Sequence, residues 1–91
     1  MSLKVIVTIP VYNGETTIKD ALLSAINQSV EPDSIIISDN NSTDKTRDIV
    51  NEIISENTEI DIKLYKNITN IGYHKNLNKC LEYSKGYNYL V

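Results

Sequence analysis

The stretch Val5-Ile-Val-Thr-Ile-Pro-Val-Tyr-Asn-Gly-Glu15 decides how the rest of the chain reads. A short apolar run from Val5 to Ile9 meets Pro10, and a polar loop, Tyr12-Asn13-Gly14-Glu15, follows at once. The segment from Lys4 to Ile9 is rich in β-branched residues and apolar on both faces, so it predicts a central, parallel strand. Proline has no N–H to give to a ladder, which places Pro10 at the strand's end. Loops at the carboxyl ends of parallel strands are where ligands bind in open α/β sheets.

Downstream, the apolar positions change period. Ile18, Ala21, Leu22, Ala25 and Ile26 recur at helical spacing and predict a helix from about Thr17 to Gln28, with Thr16 or Thr17 as N-cap. Ser29 to Asp33, with Pro32, turns the chain. Ser34 to Ser38 is a second doubly apolar strand, and Asp39-Asn40-Asn41-Ser42-Thr43-Asp44 combines a loop with a helix start. Ser42 or Thr43 can cap that helix, and Asp44 suits its positive end. The helix runs from about Asp44 to Glu56, with Ile49, Val50, Ile53 and Ile54 as its stripe. Ile62 to Lys66 is less apolar, as an edge strand should be. A third helix from about Tyr73 to Lys85 places Leu77, Cys80, Leu81 and Ser84 on one face, with Gly86 at C′. Tyr87 to Val91 begins a fourth strand.

Strict β-α-β-α-β-α-β alternation predicts a three-layer α/β/α fold with a parallel sheet. Right-handed crossovers give the strand order 3-2-1-4, with a crevice where the order reverses between strands one and four.

The composition narrows the function. With 91 residues the chain is one domain or part of one, and 41% hydrophobic residues fit a globular chain. A net charge of −3 argues against bulk attraction to nucleic acid. The single cysteine, Cys80, leaves no internal disulfide and no Cys-His metal cluster, and it points to a reducing compartment. No stretch approaches the roughly 20 apolar residues needed to span a bilayer, and Val5 to Ile9 is too short for a signal peptide's apolar core.

Three loops should gather at one sheet edge: Pro10 to Glu15, Asp39 to Thr43, and Asn67 to Lys75. They carry a ring to stack on a base, acceptors in Glu15, Asp39 and Asn40, and bases in His74 and Lys75. That set suits a nucleotide, although polar loops are also the default at strand ends. The dinucleotide and P-loop fingerprints are absent, as is a hydrolase nucleophile elbow. Each residue also has a plainer reading. Tyr12 can be a packed loop aromatic, Glu15 a helix N-terminal charge and Asp39 a turn former. Asn40 and Ser42 can be turn and cap chemistry, and Lys75 and His74 solvated surface groups. Cys80 reads as core packing.

Ile9-Pro-Val-Tyr-Asn-Gly-Glu15, Gln28-Ser29, Ser38-Asp-Asn-Asn-Ser-Thr-Asp-Lys-Thr46, Asn70-Ile-Gly-Tyr-His-Lys-Asn-Leu-Asn78 and Gly86-Tyr-Asn-Tyr-Leu90 occur in one order. Together they resemble the opening of a family 2 glycosyltransferase, over nearly the whole chain. The resemblance implies the nucleotide-sugar-binding half of a GT-A fold. It implies a UDP-, GDP- or dTDP-sugar as donor, with Mg²⁺ or Mn²⁺ serving the full-length enzyme in cell-wall or polysaccharide biosynthesis. The implied location is cytoplasmic, including the inner face of the membrane. By that analogy Pro10, Tyr12 and Glu15 line base and ribose, Asp39 and Asn40 meet the base edge, and Lys75 lies near the nucleotide.

Two departures stand out. The family usually has Asp-Asp where this chain has Asp39-Asn40, which opens the identity of the base. The family's Asp-x-Asp metal motif follows the fourth strand, and the catalytic base comes later. The expectation is therefore an incomplete domain over residues 1–91, with no catalytic or metal-binding residue and no transfer activity alone. Such a chain would leave a sheet edge exposed and dimerise through it. The competing reading is a non-catalytic α/β module that binds a nucleotide or a protein partner.

Overall fold

The computed structural model describes residues 4–28, 32–84 and 89–90. Its elements run β1 (Lys4–Val11), α1 (Ile18–Ile26), β2 (Ser34–Asp39), α2 (Thr46–Glu56), β3 (Asp61–Lys66), α3 (Tyr73–Tyr83) and β4 (Tyr89–Leu90). The parallel sheet is ordered β3-β2-β1-β4, with β4 pairing Lys4 and Val5 of β1 among the described residues. The turn at Ser29 and the C′ role of Gly86 lie outside the described residues.

All six residues of β2 are buried, as a doubly covered central strand requires. Their alternation divides the core into two layers. Ile35 and Ile37 join Ile18, Leu22 and Ile26 of α1, and Val50 and Ile53 of α2, in one apolar cluster. Ser38, on the other face, meets α3 through Asn76. The edge strand β3 buries Ile62 and exposes Asp61, Lys63 and Lys66.

Three expectations need correction. β1 does not stop at Pro10; it continues to Val11, with Pro10 opposite Ser38. In β1 the odd residues bond toward β2, as Asp33 N–H to Val5 O and Asn40 N–H to Val11 O show, both at 2.8 Å. Pro10 therefore turns its missing donor to the opposite side, where β4 reaches only Val5 among the described residues. Neither Thr17 nor Ser42 caps its helix with a side chain. The N-cap of α2 is Lys45, and the Asp44 carboxylate just before it accepts from Thr46 N–H at 3.0 Å and from the Thr46 hydroxyl. Finally, α3 is rotated from its expected stripe. Asn76, Cys80 and Ser84 are buried, whereas Leu81 is 44% exposed. The face turned inward is the one whose Asn76 amide finds partners on the sheet.

The strands end level, with Val11, Asp39 and Lys66 side by side in register. Two further ladder bonds, Asn40 N–H to Val11 O and Asn67 N–H to Asp39 O, both 2.8 Å, carry that alignment one residue into the loops. Three loops therefore leave the sheet at the same height.

Candidate functional site

The loop after β1 is held by the loop after β2 through its backbone. Asn13 adopts a left-handed conformation, φ 49°, which asparagine tolerates well. Its N–H donates to Ser42 Oγ at 2.8 Å, and its Oδ1 accepts from Thr43 N–H at 2.8 Å. Gly14 N–H donates to Thr46 Oγ1 at 2.9 Å. Glu15 N–H donates to Asp44 at 3.2 Å, and Glu15 Oε2 accepts from Lys45 N–H at 3.2 Å. A Cβ at Gly14 would lie 2.7 Å from Val11 Cγ2, so a side chain there would require Val11 or the loop to shift.

Beneath the clasp sits Asp39, fully enclosed. Its carboxylate accepts from Ser42 N–H at 2.9 Å, from Ser42 Oγ at 2.5 Å and from Arg47 Nη1 at 2.9 Å. Arg47 also donates to Ser42 O at 2.7 Å. Desolvation pushes the Asp44 carboxyl up. The hydrogen bonds it accepts from the Thr46 hydroxyl, Thr46 N–H and Glu15 N–H outweigh that and hold its pKa below the ordinary 3.8.

A network of asparagine amides joins the second and third loops to α3. Asn40 Oδ1 accepts from Asn67 Nδ2 at 3.0 Å and from Ile71 N–H at 2.9 Å. Asn40 Nδ2 donates to Asn70 Oδ1 at 2.9 Å, and Gly72 N–H donates to the same oxygen at 2.8 Å. Asn76 accepts from Ser38 Oγ at 2.6 Å and from Asn67 Nδ2 at 2.9 Å, and returns a bond to Ser38 O at 2.9 Å. Gly72 opens α3 at φ 86° and ψ 159°, a conformation essentially confined to glycine. Cys80 packs against Ser38 below this network. Burial pushes its thiol above 9.0, against the lowering effect of hydrogen bonds to Ser38.

Above these layers lies a cavity of about 600 Å³. One wall is the β1 loop from Pro10 to Gly14, and Asn40 forms part of the base. The opposite wall is Asn70, Gly72, Tyr73 and Asn76. Tyr12 and Tyr73 are 49% and 65% exposed, and both border this opening; the Tyr73 ring also meets the His74 ring edge-on, with centroids 5.6 Å apart. Of the six residues singled out by sequence, Pro10, Tyr12 and Asn40 line the cavity. Asp39 lies underneath, with its carboxylate already engaged. Glu15 belongs to the clasp, facing a second cavity between α1 and α2. Lys75 borders a separate shallow groove with Ile71 and Lys79.

Asn13, Asn70, Tyr73, Asn76 and Arg47 were not assigned roles by sequence. Asn76 left a signal: it stands four residues before Cys80, on the same helical face. Arg47 left none, because its acceptor lies eight residues back across a turn.

A scan of family descriptions matches glycosyl transferase family 2 over residues 6–91. The chain belongs to this family. Curated relatives of the chain include an uncharacterized glycosyltransferase of Haemophilus influenzae, 36% identical over 80 residues. That match covers 88% of the chain and 31% of the relative. EpsE of Bacillus subtilis, which carries a provisional glycosyltransferase name, is 34% identical over 83 residues, or 91% of the chain and 30% of EpsE. The chain thus spans about a third of the length of these curated relatives. Among solved structures, the mannosyltransferase PcManGT from Pyrobaculum calidifontis, in complex with GDP-Man and Mn²⁺, superposes with a TM-score of 0.75. It shares 23% identity, over 91% of this chain and 25% of its own, and shows that the fold is that of GT-A enzymes.

A metal is expected for this family. Among the described residues, no three His, Cys, Asp or Glu side chains gather to hold one. No carboxylate lines the cavity either, so the described residues do not fit a metal centre. Among the described residues, no helix is long and apolar enough to cross a membrane.

Proposed function

We propose that this chain is the nucleotide-binding part of a glycosyltransferase that moves a sugar from a nucleotide-diphosphate sugar to an acceptor hydroxyl, with inversion. The observation that carries this reading is the cavity over the level strand ends, with two exposed tyrosine rings and a floor of hydrogen-bonded amides. Rings of this kind can stack on a base, and amide groups can hold its polar edge. In this reading Pro10, Tyr12 and Asn40 meet the nucleoside, while Asp39 and Glu15 fix the loops that present them. Lys75, on its separate groove, takes no part in holding the nucleoside in this reading. PcManGT, solved with GDP-Man and Mn²⁺, supports a nucleotide sugar as donor and a divalent metal in the whole enzyme. The metal ligands and the catalytic base then come from outside the described residues, and residues 1–91 are an incomplete domain inactive by themselves. The setting is polysaccharide or cell-wall synthesis at the cytoplasmic side. Self-association along the β1 side of the sheet belongs to the same reading, because among the described residues β4 pairs with two β1 residues there.

Calorimetric titration with UDP, GDP and dTDP, with and without Mn²⁺, tests the reading. At least one nucleotide should bind without metal. Tyr12→Ala should weaken it by roughly five- to a hundredfold, the usual worth of one base-stacking ring. Absence of binding by all three would overturn the reading.

A further inference from the structure

We infer that the cavity reads its nucleobase as an acceptor, and so favours guanine, whose O6 and N7 stand side by side, over uracil, thymine or adenine. The inference rests on the nucleotide-binding reading above and concerns which base that site takes.

The inference comes from accounting for the side-chain oxygen of every asparagine that borders the cavity. Four asparagines line it: Asn13, Asn40, Asn70 and Asn76. Each side-chain oxygen already accepts two hydrogen bonds from the protein. Asn13 Oδ1 takes Thr43 N–H and, at 3.4 Å, Thr43 Oγ1. Asn40 Oδ1 takes Asn67 Nδ2 and Ile71 N–H. Asn70 Oδ1 takes Asn40 Nδ2 and Gly72 N–H. Asn76 Oδ1 takes Ser38 Oγ and Asn67 Nδ2. An amide oxygen has two lone pairs, so none is left for a ligand at Asn40, Asn70 and Asn76, and at Asn13 only the place of the long Thr43 hydroxyl contact remains.

The orientation of each amide is fixed as well. Asn13, Asn40 and Asn70 each accept from a backbone N–H, and Asn76 donates to a backbone carbonyl. Backbone groups cannot exchange roles, so turning any of these amides over would set like groups against each other. The capacity that remains is on nitrogen. Asn13 Nδ2 and Asn70 Nδ2 donate to no protein acceptor among the described residues, and Asn40 Nδ2 and Asn76 Nδ2 each use one of two hydrogens. The Tyr12, Tyr73 and Thr17 hydroxyls can turn to either role, so among the lining side chains the asparagines set the fixed bias, and it is toward donation.

Guanine offers O6 and N7 as neighbouring acceptors, and adenine replaces O6 by an amino donor; uracil and thymine carry O2 and O4 on either side of an N–H donor, so neither has two acceptors side by side. Adenine is the stringent comparison, because it has nearly the shape of guanine with one acceptor reversed. Calorimetry should give GDP an affinity about ten- to a hundredfold above ADP, and above UDP and dTDP, as expected for a two-point contact. Asn70→Asp keeps an oxygen for Gly72 N–H and replaces the free nitrogen by an acceptor. That variant should lose most of the preference for GDP over ADP while unfolding at a similar urea concentration. Equal or tighter binding of ADP or UDP by the wild-type chain would overturn this inference and leave nucleotide binding intact. Failure of every nucleotide to bind would overturn both.

Discussion

Replacing Asp39 separates a scaffolding role from a ligand-contact role. In the structure this carboxylate is 0% exposed and accepts three hydrogen bonds, one of them from Arg47 at 2.9 Å. Asp39→Ala leaves Ser42 N–H and Oγ without their acceptor and strands the guanidinium. Breaking a buried ion pair from one side costs about 3–5 kcal/mol. Here the Arg47 side chain is 31% exposed, and water can take over part of its bonding, so the lower end, about 3 kcal/mol, is expected. A domain of this length has roughly 5–15 kcal/mol in total, so the variant should remain folded but weakened. With a urea slope near 1 kcal/mol/M its midpoint should fall by about 3 M. Asp39→Asn keeps one oxygen and should lose about half as much. Urea titration followed by circular dichroism, with Arg47→Met to close a double-mutant cycle, reads these values. Asp39→Ala within about 0.5 kcal/mol of wild type, the range of an ordinary surface change, would refute the reasoning.

Asn76→Leu should destabilise the chain by about 2–4 kcal/mol in the same titration, because Ser38 and Asn67 lose a buried partner and Leu must fit where an amide sat. Cys80 should resist a thiol reagent in the native state and react fully in denaturant. Its raised pKa adds a pH effect: the contribution is complete below the unfolded value and declines as pH climbs past 9.0 toward the folded one. Asp44 acts with the opposite sign. Its pKa is lowered on folding, so its contribution is present above 3.8 and disappears as pH falls through the lower folded value. Asp44→Asn should flatten the acid limb of a stability-versus-pH curve measured by thermal unfolding.

The three longer strands and three helices were legible because short apolar runs alternate with segments of helical spacing. Ser34 to Ser38 could be little other than a buried strand, and Ile18 to Ile26 little other than a helix face. The loops were harder, for a physical reason. Asp39 reads equally as a ligand contact or as the acceptor beneath a turn, and only the return of Ser42 and Arg47 over it decides where its carboxylate is spent. The rotation of α3 was hidden for a related reason. Hydropathy favours Leu81 inside, but four satisfied bonds on Asn67 and Asn76 favour the polar face. Pro10 misled by the same logic, since whether a missing N–H matters depends on which side of the strand has a neighbour. Tyr12 and Asn40 at the cavity followed from strand-end position alone, whereas Tyr73 and Asn70 required the third loop's path.

The central claim is that one cavity above the ends of β1 and β2 receives the nucleoside. Nuclear magnetic resonance of ¹⁵N-labelled protein titrated with GDP tests it most directly. The account requires the largest shifts at the backbone of Tyr12, Asn13 and Tyr73 and at the side-chain NH₂ groups of Asn40 and Asn70. Shifts confined to the Lys75–Lys79 groove or to the cavity between α1 and α2, with these signals unmoved, would contradict it.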